Sequence, residues 1–362
     1  MSTSAVIGCG DVSSVHLAAI ADNPAIDLVA VCDTETTRLA ATVASSNVPG
    51  FTDHRQLIRE VQPDVVHICT PHHQHVQLAV DCLERGISVI LEKPLAHTLA
   101  EGQRLIAAAV EHPDVKIAVC FQNRYNAPAQ AMHQLLNSGE LGTVLGASAT
   151  LMWQRSAEYY RAKPWRGRWD TSGGGLLMNQ AIHTVDLLQW LVGDVVAVQG
   201  HAANHSLSQD VEVEDTAEMM LTHTGGARTV FYATVANVVN APVMIEVNTE
   251  AATLHLYGDL TVTYADGRSE TVAERLVGST GKDYWGVSHS LLIDDFYAHL
   301  GDAQPFWIGP EEAAKSLEIV QALYAASRTP RLSERSSRPP DGSSWWPTTA
   351  SGALPAYRRS HP

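Results

Sequence analysis

Two stretches carry side chains suited to proton transfer. The first is Val89-Ile90-Leu91-Glu92-Lys93-Pro94, a short apolar run closed by a carboxylate, an amine and a proline. The second is the apolar segment 176–191, where Asn179, His183 and Asp186 recur at i, i+4 and i+7 and so share one face of a helix. An imidazole titrates near ~6.5, which suits a general base at neutral pH. An amine starts near ~10.4 and moves toward neutrality when desolvated or set beside another cation. Each stretch also has a plain structural reading: Lys93 as an exposed charge at a strand end, His183 as a core histidine bonded to Asp186. Either way the polar stripe needs partners, because unpaired buried polar groups are costly.

The surrounding elements decide where these groups stand. Residues 89–91 are too few and too apolar for an amphipathic helix and follow Gly86, so they read as a buried parallel strand. Pro94 biases Lys93 toward an extended backbone, which sets the amine at the strand's carboxyl end, where open α/β sheets bind ligands. The Lys93–Pro94 bond is a candidate for the cis form.

Upstream, Ala5-Val6-Ile7 reads as a strand, Gly8-Cys9-Gly10-Asp11-Val12-Ser13 as a turn, and residues 14–21 as a helix. A second strand, residues 28–32, ends in Asp33. Gly8 permits the tight turn, Gly10 lets the backbone approach a pyrophosphate, and the helix N-terminus offers free N–H groups. Asp33 is spaced to accept hydrogen bonds from a ribose, which favours NAD over NADP. Arg38 would soften that preference if it reached the ribose. Ser13 stands where the fingerprint has its third glycine and is small enough for close helix packing.

Helices and strands continue to alternate. Helical patterns cover 35–46, 53–61, 75–85 and 98–111, with strands at 65–70, 89–91 and 115–120. This spacing predicts a doubly wound parallel sheet. From residue 145 the texture changes. Strands are expected at 195–201, 216–222, 228–236, 243–248, 252–257 and 260–264, and helices at 289–300 and 310–327. The fold class expected from these patterns is α/β, a doubly wound parallel sheet over residues 1–122 followed by an α/β domain with a largely antiparallel sheet over 123–328. Residues 329–362 are rich in Ser, Pro and Arg and form a tail without a core of its own.

Composition narrows the partners. The 362 residues carry a net charge of −15, which argues against nucleic acid and anionic membrane surfaces. No membrane span and no secretory signal are expected, and the five cysteines, without a CxxC pair, read as reduced buried thiols of a cytoplasmic protein. His72, His73 and His75 have no nearby carboxylate or cysteine to complete a metal shell, so no metal is expected.

Taken together, Gly8 to Ser13, His16, Asp33, Thr70-Pro71 with His75, Glu92-Lys93-Pro94, Gln122-Asn123-Arg124 and Gly173 to Asp186 resemble the Gfo/Idh/MocA oxidoreductases, the glucose–fructose oxidoreductase and inositol dehydrogenase family. The resemblance spans about residues 5–328. It implies NAD(P)-linked oxidation or reduction of a sugar or cyclitol hydroxyl, and a homodimer or homotetramer built on the open sheet. It implies that Lys93 and His183 are catalytic; their ordinary titration ranges assign His183 as base and Lys93 as the polarising partner, with exchanged or shared roles as the alternative. Asn179 stands where many inositol dehydrogenase-like members have aspartate. The run Asn-Gln-Ala-Ile-His looks like members acting on nucleotide-linked or glycosidic sugars, often at C3.

The expected cofactor contacts are Gly8, Gly10, Asp11, Val12, Asp33, Arg38, Thr70, Pro71, His72, His75, Glu92, Lys93 and Gln122. The expected substrate contacts are Lys93, Arg124, Trp165, Arg166, Asn179 and His183. Two other readings accompany this one: an NAD-recycling glycosidase working through transient 3-oxidation and elimination, and a non-catalytic dinucleotide sensor.

Overall fold

The short apolar runs of the first half pair side by side. In the computed structural model, which describes residues 1–207, 211–274 and 288–328, the first sheet holds β1 (Ser2–Ile7), β2 (Ile26–Cys32), β3 (Gly50–Phe51), β4 (Val65–Ile68), β5 (Ser88–Leu91) and β6 (Ile117–Val119). They run parallel in the order β3-β2-β1-β4-β5-β6. Parallel neighbours need crossovers long enough for a helix. Those are α1 (Ser13–Asp22), α2 (Thr36–Ser46), α3 (His54–Val61), α4 (His75–Leu83) and α5 (Leu99–Glu111). The strand order reverses between β1 and β4, and such a switch point opens a crevice at the carboxyl ends. Val65, Val66, Ile68, Val89, Ile90 and Leu91 are fully buried, as strands covered on both faces require. β3 has two residues, too few for a readable pattern.

The second half begins with α6 (Ala127–Asn137), β7 (Val144–Met152), α7 (Ala157–Arg161) and α8 (Trp169–Ser172). A π-helical turn, Leu177–Ala181, then opens α9 (Ile182–Val192). β8 (Val195–Ala203), β9 (Thr216–His223), β10 (Arg228–Thr234), β11 (Met244–Thr249), β12 (Ala252–Tyr257), β13 (Asp259–Tyr264) and β14 (Ser269–Val272) complete a second sheet. Its order is β14-β13-β12-β11-β7-β10-β9-β8, antiparallel except where β7 meets β10. Burial alternates along β9 and β10, so one face of this sheet is covered and the other is open. α6 and α9 pack on the covered face.

α10 (Ser288–Ala298) returns to pack on α1, and α11 (Pro310–Arg328) brings Leu317 against Gly102 of α5. Residues 1–327 thus form one compact unit. The expected tail, 329–362, lies outside the described residues. The five cysteines are free and buried. Among the described residues no helix is long and apolar enough to cross a membrane.

Candidate active site

One cleft of about 2030 Å³ runs along the carboxyl ends of β1, β4 and β5 to α7 and the π turn. A single small-molecule pocket takes roughly 300–1,000 Å³, so there is room for a dinucleotide and a second ligand.

At one end the cleft is floored by the glycine turn. Gly8 has φ +95°, and a Cβ there would sit 2.7 Å from the Cys69 carbonyl oxygen, so only glycine fits. A Cβ on Gly10 would meet nothing within 4 Å, leaving its backbone open to the cleft beside Asp11 and Val12. α1 begins without a side-chain cap, so its first N–H groups remain available to an anion.

Asp33 ends β2 at the same edge. It accepts from Cys9 N and Glu35 N, each at 2.8 Å, and from the Arg38 guanidinium at 2.8 and 3.2 Å. Burial pushes the Asp33 carboxyl up, but the bonds from Arg38, Glu35 and Cys9 outweigh it and hold the group below its ordinary range. Thr70 Oγ1 and Gln122 Oε1 are buried in the cleft wall without a protein partner. Pro71 and His72 line the same wall. The open backbone at Gly10, the uncapped helix, Asp33 and these two unpartnered atoms suit a dinucleotide.

Farther along stand Glu92 and Lys93, at the end of β5, before a cis Lys93–Pro94 bond. Lys93 Nζ donates to the Asn179 carbonyl oxygen at 2.8 Å. Burial lowers the lysine's pKa and the Arg166 cation adds to that, while Glu92 opposes both. His183 faces the same space, its Nδ1 without a partner. Burial, then the Lys93 charge, holds this imidazole well below its usual pKa, so it is neutral at pH 7. Tyr159 from α7 accepts from Asn179 Nδ2 and Gln180 Nε2, each at 3.1 Å. Arg166 lies 4.2 Å above the Tyr159 ring and 3.4 Å from Asp11 Oδ2, and Trp165 packs edge-on to His72 at 4.7 Å. The region is thus a cation-rich aromatic wall opposite Lys93.

The start of the His183 helix is held from below. Gly173 has φ +74°, and a Cβ there would lie 1.9 Å from the His97 oxygen. Buried Glu214 accepts from Gly175 N at 2.8 Å, Leu177 N at 2.9 Å and the Tyr324 hydroxyl at 2.7 Å. These bonds occupy N–H groups that an exposed helix start would leave to water.

Three expectations change. Arg124, expected at the substrate pocket, is 1% exposed and away from the cleft. It makes a two-pronged ion pair with Asp186 at 2.8 and 2.7 Å and reaches Glu312 at 2.9 Å. Asp186 therefore does not face the cleft with Asn179 and His183. Asp186 turns to Arg124 and Ser316, and the π turn shifts the register of Asn179 relative to His183 and Asp186, which follow it on α9. His75, expected at the cofactor, is fully buried outside the cleft lining, with its ring nitrogens 2.8 Å from the Pro94 oxygen and 2.9 Å from the Thr70 oxygen. It braces the two loops that do line the cleft.

Tyr159 and Gln180 were not anticipated. Gln180 neighbours Asn179 and reaches the cleft through the π turn, and Tyr159 arrives on a five-residue helix that shows no sequence pattern.

Residues 3–121 match the family described as an oxidoreductase family with an NAD-binding Rossmann fold, and residues 129–255 match the GFO/IDH/MocA C-terminal domain. The D-apiose dehydrogenase of Paraburkholderia graminis is 27% identical over 92% of this chain and 89% of its own. The D-glucoside 3-dehydrogenase of Escherichia coli is 27% identical over 55% of this chain and 56% of its own. The crystal structure of the WlbA dehydrogenase of Bordetella pertussis, in complex with NADH and UDP-GlcNAcA, superposes with a TM-score of 0.77 at 29% identity, covering 90% of this chain and 96% of that one. The paired family matches and the glycine-turn cleft agree: the chain belongs to the Gfo/Idh/MocA oxidoreductases and carries their NAD-binding Rossmann fold.

Proposed function

We propose that the protein oxidises a secondary hydroxyl of a sugar, at C3 of a glycoside or nucleotide-linked sugar, in the manner of a dehydrogenase. The observation that carries the reading is that Lys93 and His183 face one cleft that begins at the glycine turn. Two relatives support the substrate class, the D-glucoside 3-dehydrogenase and the WlbA dehydrogenase seen with NADH and UDP-GlcNAcA. Residues 1–122 hold the dinucleotide and residues 123–328 the sugar.

Gly10 and Asp33 would hold NAD, which would supply the hydride acceptor. The neutral His183 imidazole takes the hydroxyl proton as the carbon–hydrogen bond breaks. Lys93 hydrogen-bonds the same oxygen and stabilises the charge developing there. Asn179, Tyr159 and Gln180 orient the neighbouring hydroxyls, and Trp165 and Arg166 close the outer wall. A second copy covers the open face of the second sheet, where Val230 (56% exposed) pairs across strands with Met220 (36%) beside Tyr232 (40%).

The test is NADH absorbance across free sugars, glycosides, cyclitols and nucleotide sugars. Stoichiometric NADH with a 3-keto product supports the reading. Glycoside cleavage without net NADH points instead to a recycling glycosidase, and dinucleotide binding without turnover on the whole panel to a sensor.

A further inference from the structure

Behind Glu92 runs a buried chain of hydrogen bonds that the reaction above does not use. Glu92 Oε1 lies 3.0 Å from His16 Nε2 and 3.1 Å from His289 Nε2. His16 Nδ1 lies 2.9 Å from His67 Nδ1, and His67 Nε2 lies 3.0 Å from the Tyr297 hydroxyl. His16 and His67 have no solvent exposure, His289 has 2% and Glu92 5%. The members come from α1, β4, the end of β5 and α10, so only the tertiary fold assembles them.

The proton positions follow from donor and acceptor counting. An ionised carboxylate only accepts, so His16 and His289 each present an Nε2–H to Glu92. Neutral His16 then accepts at Nδ1, and His67 donates its Nδ1–H there. His67 Nε2 is left to accept from the Tyr297 hydroxyl. Every donor in the row points toward Glu92, and the row is complete with Glu92 charged and His16 and His67 neutral. His16 and Glu92 also have their ligand-type atoms within 4.8 Å of Cys120 Sγ. The short His–Glu separations are those of donor–acceptor pairs, which the hydrogen bonds explain without an ion.

Among the described residues, several ionisable groups face Glu92. Those are Lys93 beside it, His16 from α1, His289 from α10, His183 from α9, Cys69 after β4, Cys120 after β6, and His72 and His75 at the start of α4. Its negative charge is the counterweight to burial and to Arg166 at the Lys93 amine.

We infer that His16 is a positioning residue, backed by His67 and Tyr297, which keeps Glu92 charged beside Lys93 and so sets the pH range over which the lysine works. The inference rests on the catalytic reading of Lys93. It requires no new reactant, since the chain acts by orientation and charge. Removing the His16 donor lets Glu92 take a proton at higher pH. A neutral Glu92 no longer supports the lysine's charge, so the charged pair beside the substrate is lost earlier as pH falls.

The experiment is the pH dependence of kcat/KM for the intact protein, using NAD and the substrate found by the panel. In His16→Leu the active range narrows from the acid side, by about one pH unit, while NAD affinity measured by fluorescence stays within about twofold. His16→Gln, whose amide N–H can replace Nε2–H, keeps a profile close to the parent's. A His16→Leu profile that overlays the parent's overturns the inference, and so does a glutamine variant as narrow as the leucine one. If His16→Leu does not fold, His67→Leu takes its place. It leaves the His16–Glu92 bond but removes the donor that fixes the His16 tautomer, and an unshifted profile there overturns the inference equally. Lys93→Met with full turnover overturns the catalytic reading instead, whatever His16 does.

Discussion

Lys93 Nζ donates its 2.8 Å hydrogen bond to the main-chain oxygen of Asn179, 86 residues away. The bond ties the end of β5 to the π turn before α9, so the amine of the first sheet and the imidazole on the helix are held in one frame. Because the acceptor is backbone, the Asn179 side chain is free for other work, and it donates to Tyr159. Two substitutions separate the roles. Lys93→Met should lower kcat by about 10²–10⁴-fold, the range for losing a positioned proton-transfer group, with NAD binding intact by fluorescence titration. Asn179→Ala keeps the backbone acceptor and should raise KM more than it lowers kcat. Equal losses of kcat in both variants would show that the lysine's anchor is not the backbone.

Arg38 covers both oxygens of Asp33. Its guanidinium offsets the carboxylate's repulsion of a ribose 2′-phosphate. Arg38→Ala should therefore widen the preference for NAD over NADP by about tenfold, or ~1.4 kcal/mol, mainly by weakening NADP. Dissociation constants for the two cofactors test this, and an unchanged ratio would show that Arg38 has no part in the choice.

Arg124 and Asp186 form a buried ion pair, each 1% exposed. Breaking such a pair by truncating one partner strands the other charge and costs about 3–5 kcal/mol. Arg124→Met should lower the unfolding midpoint in denaturant without a selective rise in KM. A large KM change at unaltered stability would return Arg124 to the substrate pocket.

The buried histidines predict acid sensitivity. His67, His72 and His183 are held well below the ordinary 6.5, and His16 and His75 are held below it, in every case first by burial. The unfolded chain takes these protons as pH falls through 6.5, while the folded chain refuses them. Stability should therefore be full above 6.5 and fall below it, by up to about 1.4 kcal/mol per pH unit per histidine until each folded-state pKa is reached. Asp33 and Glu92 are held below the ordinary 3.8 and 4.5, so their contributions persist until more acid conditions. Thermal melts from pH 8 to pH 5 should show Tm dropping from about 6.5 downward. A flat Tm across that span would mean that the histidines are not buried neutral.

Most of the first sheet was legible in the chain because its signals are local. An apolar run closed by Gly8-Cys9-Gly10, and another closed by Glu92-Lys93-Pro94, each state their own conformation and which end of a strand they occupy. The strands of the second sheet were legible for the same reason, through alternation along 216–222 and 228–236, apart from the central β7 and the short β14. The sequence by itself therefore determined the two sheets, the glycine turn with Asp33, and the candidacy of Lys93 and His183. Only the tertiary structure decided which polar groups face the cleft. The Arg124 guanidinium, contributed by a distant turn, took Asp186 as its partner, so His183 on the same helix has no bond to it. Tyr159, Gln180 and the His16–His67–Tyr297 row depend on contacts between residues far apart in the chain. Local propensity cannot report such contacts, because burial and hydrogen-bond satisfaction are settled only when the elements pack.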